Sequence, residues 1–265
     1  MKLGWRDSGG GDKNDPLVFL HAFPLNQSMW DPQFKHFAGS RRVITFDWPG
    51  FGESSLEELG ADGIGLAPYA QSLLRLLDHL QIERASICGL SMGGYAALSF
   101  YRLYPERTAS LILCDTRATA DSIEARQGRY EIIERLSHKD RAGLDGLVRS
   151  MIPRLLGDTT LSQARLLLEC VEKMIRQNGV EGIIRALRAL AERPDSSDLL
   201  PLIGMQMVRT LIIVGNEDKL TSPSEMRLMS EAISGSRFVI IDEAGHLPNL
   251  EQSDRFNQAL GHFLA

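Results

Sequence analysis

Cysteine is scarce in this chain of 265 residues: Cys88, Cys114 and Cys170 are the only three, odd in number and far apart. That excludes a disulfide scaffold, and Cys88 and Cys114, inside apolar runs, read as small buried hydrophobes with reduced thiols. A surplus of basic residues is lacking as well. The 29 Lys and Arg are scattered among 34 Asp and Glu, for a net charge of -5, so no basic face points to nucleic acid or to an anionic membrane. No apolar stretch approaches the ~20 residues needed to span a bilayer. The start, Met1-Lys-Leu-Gly-Trp-Arg-Asp7, has no apolar run of signal-peptide type, which leaves a cytoplasmic location as the expectation. Histidine and carboxylate clusters at ligand spacing are missing too, so no metal is expected.

What is present is 43% hydrophobic and 24% charged residues, enough for one large α/β domain or one domain with an insertion. Leu17-Val-Phe-Leu20 and Arg42-Val-Ile-Thr-Phe-Asp47 are short continuous apolar runs, the pattern of strands buried on both faces. Gln27 to Ala38 between them suits a helix. Further strands are read at Arg84–Cys88, Ser110–Asp115, Arg209–Gly215 and Arg237–Asp242. Helices are read through Ala70, Leu73, Leu74, Leu77 and Leu80, and from a capping Ser222 and a capping Ser253. Strand alternating with helix predicts a mostly parallel, doubly wound sheet with right-handed crossovers.

One long interruption breaks the alternation. From about Thr119 to Leu200 no strand pattern appears. Ala164, Leu167, Leu168, Val171, Met174 and Ile175 share a helical stripe, and the spacing repeats at Val180, Ile183, Ile184, Leu187, Leu190 and Ala191 after a turn at Asn178-Gly179. This predicts a helical hairpin within a cap, 119–200, over a core formed by 1–118 and 201–265. Such an insertion belongs over the carboxyl ends of the strands, where ligands of parallel sheets bind.

The chemistry centres on Gly89-Leu-Ser-Met-Gly-Gly94, between an apolar strand and a helix. A strand that reverses into a helix within a few residues strains its central residue, and glycines on either side remove the side chains that would collide. Ser91 is thereby presented at a helix start, where N–H groups favour a developing negative charge. A serine hydroxyl needs a base, and the base needs an orienting partner. His246 follows the strand ending at Asp242, and Asp218 follows the strand ending at Gly215. Asp115 also ends a strand, and Asp242 lies near His246, so both remain alternatives to Asp218. The backbone N–H groups of Met92 and of Phe23, in the loop His21-Ala-Phe-Pro24, are the candidate oxyanion donors. His21 reads as a residue that holds this loop.

His21-Ala-Phe-Pro, Asp47-Trp-Pro-Gly-Phe-Gly-Glu-Ser, Gly89-Leu-Ser-Met-Gly-Gly, Gly215-Asn-Glu-Asp and Gly245-His-Leu-Pro-Asn-Leu-Glu251 together resemble the α/β-hydrolase superfamily. The cap helices and Asp115-Thr-Arg117 look most like the branch containing β-ketoadipate enol-lactonase and related esterases. Ala22 stands where glycine is usual, Trp48-Pro49 replaces a pair with arginine before Gly50, and the N-terminal strands look abbreviated. The resemblance implies the α/β-hydrolase fold with the cap inserted after the sixth strand. It also implies a cofactor-free serine hydrolase, with Ser91, Asp218 and His246 catalytic, acting on a small ester or lactone. A haloperoxidase-like activity and a slow-turnover ligand sensor are the alternatives. A lactone carrying a carboxylate would need a cation, and Arg117, Arg126, Arg129, Arg154, Arg185 and Arg188 are candidates. Nothing in the sequence specifies an oligomeric state.

Overall fold

The apolar runs become the centre of a seven-stranded sheet in a computed structural model that describes residues 2–10, 15–59, 65–138 and 141–265. The strands are β1 (Trp5–Asp7), β2 (Leu17–Leu20), β3 (Val43–Phe46), β4 (Ala85–Leu90), β5 (Thr108–Cys114), β6 (Arg209–Gly215) and β7 (Arg237–Ile241). Their order is β1-β3-β2-β4-β5-β6-β7. Only β1 runs antiparallel, beside β3, and every other pairing is parallel. Every residue of β2, β3 and β4 is buried, as strands covered on both faces must be. The mostly parallel α/β sheet is thus the one the alternation predicts.

Between β2 and β5 come α1 (Asp31–Phe37, before β3), α2 (Ala67–His79) and α3 (Met92–Leu103). Residues 27–38, expected as one helix, form a short 3-10 segment at Gln27–Trp30 followed by α1. Pro32 in the first turn of α1 has no N–H to continue the preceding segment. The loop expected up to Gly65 forms a 3-10 turn at Leu56–Leu59, and its residues 60–64 lie outside those described.

Between β5 and β6 the described residues form helices and no strand: α4 (Ile123–Ser137), α5 (Arg141–Leu155), α6 (Asp158–Gln163), α7 (Arg165–Arg176), α8 (Val180–Ala191) and α9 (Leu199–Met205). After β6 come α10 (Pro223–Glu231), α11 (Pro248–Glu251) and α12 (Ser253–Leu264). Three expectations are corrected here. The helical insertion follows the fifth strand, because one three-residue strand stands before β2 in the described N-terminal segment. The helices of the predicted hairpin do not pack along each other: α8 lies against α4 and α7 against α5, since each apolar stripe finds a longer partner earlier in the insertion. Ser253 is the first residue of α12 rather than its cap, which falls on Gln252 without a side-chain bond. Ser222 does cap α10, accepting from the Glu225 N–H at 3.3 Å.

Parallel strands put all their carboxyl ends on one edge. Register pairs Leu20 with Gly89, Leu90 with Cys114, and Gly215 with Ile241, so the loops carrying His21, Ser91, Asp115, Asp218 and His246 leave the sheet side by side. The insertion is anchored at this edge by a backbone contact: a Cβ built on Gly182 of α8 would lie 2.0 Å from the Gly50 carbonyl oxygen. In an unobstructed helix alanine is favoured over glycine by about 1 kcal/mol. Here the sign should reverse. Gly182→Ala is expected to lower stability by about 1–3 kcal/mol through overpacking, read as a lower urea midpoint; a midpoint at or above that of the parent would show that α8 moves off without cost.

Candidate active site

Ser91 sits between β4 and α3 with φ 55° and ψ -114°, a left-handed conformation that few non-glycine residues adopt. Its backbone is held on both sides: its N–H donates to the Cys114 carbonyl at 2.9 Å, and the Thr116 hydroxyl donates to its carbonyl at 2.9 Å. The flanking glycines are a steric requirement. A Cβ on Gly89 would meet the Gly93 carbonyl at 2.3 Å, and one on Gly93 would meet the Leu20 carbonyl at 2.1 Å. The first turn of α3 is therefore pressed against the end of β2.

His246 is almost wholly buried, and its Nδ1 is 2.8 Å from Asp218 Oδ2. Its Nε2 is buried and makes no hydrogen bond among the described residues. The loop around it is clamped by Glu251, whose Oε1 accepts the N–H groups of Gly245 and Leu247 at 2.9 and 3.0 Å, and by the His246 N–H donating to the Leu155 carbonyl. Asp218 in turn accepts the N–H groups of Leu220 and Thr221 on Oδ1 and the Thr221 hydroxyl on Oδ2. Burial pushes the Asp218 carboxyl upward, but the adjacent His246 and these hydrogen bonds outweigh it and hold the group below its ordinary value. Of the two rivals to Asp218, Asp242 is exposed and is not among the residues that line the cavity of Ser91 and His246.

Asp115 is fully buried, its Oδ1 accepts the Gly215 N–H at 2.8 Å, and its Oδ2 has no hydrogen-bond partner among the described residues. Burial and the charge of Asp218 push its carboxyl well above the usual carboxylate range. Asp115, Asp218 and His246 each offer a donor atom within 4.8 Å of the others, so the two aspartates that the sequence offers as alternatives both lie beside His246.

Ser91 and His246 line one cavity of about 770 Å³, together with Phe23, Tyr95, Leu187 and Thr221. The Phe23 turn is closed by the Leu25 N–H donating to the Ala22 carbonyl, and the Ala22 N–H is directed at the Met29 sulfur. Pro24 has no N–H. Phe23 thus keeps the one unengaged N–H of this turn among the described residues. Met92 is the first residue of α3, and its N–H is one of the helix-start donors without an intrahelical partner.

His21 stands apart from the cavity. Its Nε2 accepts the Trp48 N–H and its Nδ1 donates to the Ala22 carbonyl, both at 3.0 Å, while burial pushes the imidazole down to about 4. It is a neutral brace between two loops. Of the six arginines considered, Arg117, Arg129 and Arg154 reach the cavity and Arg126, Arg185 and Arg188 do not. Arg117 pairs with Glu225 and Arg129 with Asp121. Thr221 and Glu251, which line the cavity or hold the His246 loop, were not recognisable as such from their sequence positions. Glu251 lies in a recognised motif, but only the folded loop shows what it holds.

The family described as "Alpha/beta hydrolase family" matches residues 17–259. The chain is similar to 3-oxoadipate enol-lactonase 2 of Acinetobacter baylyi, 28% identical over 98% of this chain and 92% of that one. Among solved structures it is similar to a malate-bound thermophilic esterase from Thermogutta terrifontis, 39% identical with a TM-score of 0.91 over 99% of this chain and 92% of that one. The enol-lactonase from Burkholderia xenovorans is 25% identical with a TM-score of 0.86 over 99% and 96%. Among the described residues no helix is long and apolar enough to cross a membrane.

The raised Asp115 carboxyl generates a pH prediction. Above about 3.9, where an unfolded aspartate ionises, the unfolded chain releases a proton that the native state retains, so this group lowers stability as pH rises. Asp115→Asn keeps the acceptor for the Gly215 N–H and removes that dependence. Its stability relative to the parent should improve from pH 4 to pH 7 by up to about 1.4 kcal/mol per unit, measured by urea unfolding at a series of pH values. A difference flat across that range would mean that Asp115 is ionised in the fold.

Proposed function

The chain belongs to the alpha/beta hydrolase family, and on that premise we propose that it hydrolyses a small carboxylic ester or lactone through an acyl-enzyme, with Ser91, His246 and Asp218 as its catalytic residues. The observation that carries this reading is the state of His246. One ring nitrogen is committed to a carboxylate held below its ordinary range, and the other is buried and unpartnered in a residue that shares a cavity with Ser91. That arrangement leaves Nε2 as the acceptor for one proton.

In the first step Nε2 takes the Ser91 proton as Oγ bonds to the substrate carbonyl carbon, and the carbonyl electron pair moves onto its oxygen. The N–H groups of Phe23 and Met92 donate to that oxyanion. Collapse expels the alkoxide, which takes the proton from Nε2; for a lactone the leaving oxygen stays tethered to the acyl group. Water, losing its proton to the same nitrogen, then attacks the ester carbonyl on Ser91; collapse breaks the bond to Oγ, which takes the proton back from Nε2, and the carboxylic acid is freed. Asp218 stabilises the imidazolium formed in both halves and fixes which nitrogen carries the resting proton.

The segment 119–200 acts as the cap of this site, over a core of 1–118 and 201–265, and α4, α5 and α8 supply most of its share of the wall. The cavity has the size of a small-molecule site. Its charges nearly cancel: Arg117, Arg129 and Lys219 have carboxylate partners, and Glu124 and Glu131 share the lining with Arg135 and Arg154. A neutral short-chain ester therefore fits as well as a lactone that carries a carboxylate.

A panel of p-nitrophenyl esters and small lactones, including an enol-lactone bearing a carboxylate, tests the reading. Turnover is expected on one class at least, with Ser91→Ala folded and slower by about four to six orders of magnitude. Asp218→Asn should lose less than Ser91→Ala or His246→Ala. A Ser91→Ala variant that kept its rate would sink the mechanism.

A further inference from the structure

The turn between α7 and α8 does more than join two helices. Asn178 is buried there, and its side chain reaches three separate stretches of backbone. Its amide Nδ2 donates to the carbonyls of Pro24 at 2.7 Å and Leu25 at 3.2 Å, and to the Met174 carbonyl at 3.0 Å in the last turn of α7. Its Oδ1 accepts the Gly52 N–H at 2.9 Å. One amide thus saturates its donors and uses its acceptor, and it links the insertion to the 22–25 turn and to the 48–54 loop at once. The neighbouring Gln177 repeats the link through the Asn26 amide at 3.4 Å, and Gly182 rests on Gly50 one turn further along α8.

Pro24 and Leu25 directly follow Phe23, whose N–H is the unengaged donor of that turn. The turn is fixed from the sheet side by His21, which bridges Ala22 and Trp48. Asn178 fixes it from the opposite side. We propose that Asn178 is a positioning residue: it sets the place of the Phe23 N–H, so that the oxyanion site is assembled only while the turn between α7 and α8 is docked. The catalytic half of this inference rests on the hydrolase reading above; the mechanical half does not. Oxyanion donors act by being held in place before charge develops, and a displacement near 1 Å at such a site costs about a hundredfold in rate. Loss of the amide would also leave two buried carbonyls without a donor.

Two variants separate these effects. Asn178→Ser is small enough to fold without strain, and Asn178→Asp keeps the acceptor for Gly52 while setting a carboxylate oxygen against the Pro24 and Leu25 carbonyls. Each is compared with the parent by ester kinetics, by the affinity of an alkyl boronic acid whose serine adduct places an oxygen at the oxyanion site, and by hydrogen exchange of the whole chain. The expected result is a kcat lower by about tenfold to a hundredfold, short of the 10²–10³ for outright loss of a donor. KM should stay within about threefold, boronic acid affinity should fall in step with kcat, and Asn178→Asp should be the worse variant. Peptides covering 22–27 should exchange faster in both variants, and peptides covering 85–90 should not change. An unchanged kcat with unchanged exchange at 22–27, a loss confined to KM, or faster exchange throughout the chain would each overturn the proposal. If the parent shows no Ser91-dependent turnover, the hydrolase reading and the catalytic half fall together. Exchange at 22–27 then decides the mechanical half by itself: faster supports it, unchanged overturns it.

Discussion

The tight turn from β4 into α3 is the constraint on which the rest of the structure depends. Ser91 is held at a positive φ, and a non-glycine residue in so sparse a region costs of order 1–3 kcal/mol. The surroundings over-determine it. β4 lies at the middle of the sheet and is buried throughout, α3 is buried along most of its length, and the contacts at Gly89 and Gly93 leave no room for a gentler turn. With that turn in place, α3 presses on the end of β2 and Ser91 hydrogen-bonds to the end of β5. The relative positions of the His21, Ser91 and Asp115 loops are then not independent.

Loops at a sheet edge would ordinarily be the mobile part of such a molecule. Here buried polar groups stitch them together. Asp47 accepts from the Gln27 backbone, the Gln27 amide and the Glu53 backbone. Glu251 spans both sides of His246 and also accepts the Gly157 N–H that follows α5. Glu217 accepts both the backbone and the hydroxyl of Thr159. Each group has its partners, which is the condition under which a buried polar network adds rigidity rather than cost. Buried polar groups thereby attach the helical insertion beside the histidine loop and beside the Phe23 turn.

The legible part of this fold was the part governed by short-range pattern. Leu17–Leu20 and Arg209–Gly215 appear with the ends their apolar runs suggest, and the turn at Asn178-Gly179 falls between α7 and α8. Glycine spacing around Ser91 was legible because its cause is local: the collisions it avoids are within the turn and with the next strand. The helix partners in the insertion were not, because a stripe at 3.6-residue spacing says that a helix face is covered without saying by which neighbour. The Asn178 contacts escaped for the same reason. Asn-Gly reads as a turn from its own backbone preferences, and partners about 126 and 154 residues away leave no trace in local spacing.

Two aspartates end neighbouring strands, and chain order by itself does not separate them. The fold separates them through their hydrogen-bond partners. Asp218 sits on a turn whose N–H groups and hydroxyl point at its carboxylate, with an imidazole at 2.8 Å; every one of these favours the charged form. Among the described residues Asp115 has one N–H on one oxygen and no partner on the other. Two carboxylates this close, excluded from water, cannot both be charged at small cost, so the better-supplied one keeps the charge and drives its neighbour toward protonation. The positive φ of Asp115 adds that its backbone, too, is held by its neighbours, through an N–H donated to Ile213. A carboxyl pushed toward its neutral form beside Asp218 weakens the second negative charge near His246, and the electrostatics of that pair are then dominated by Asp218.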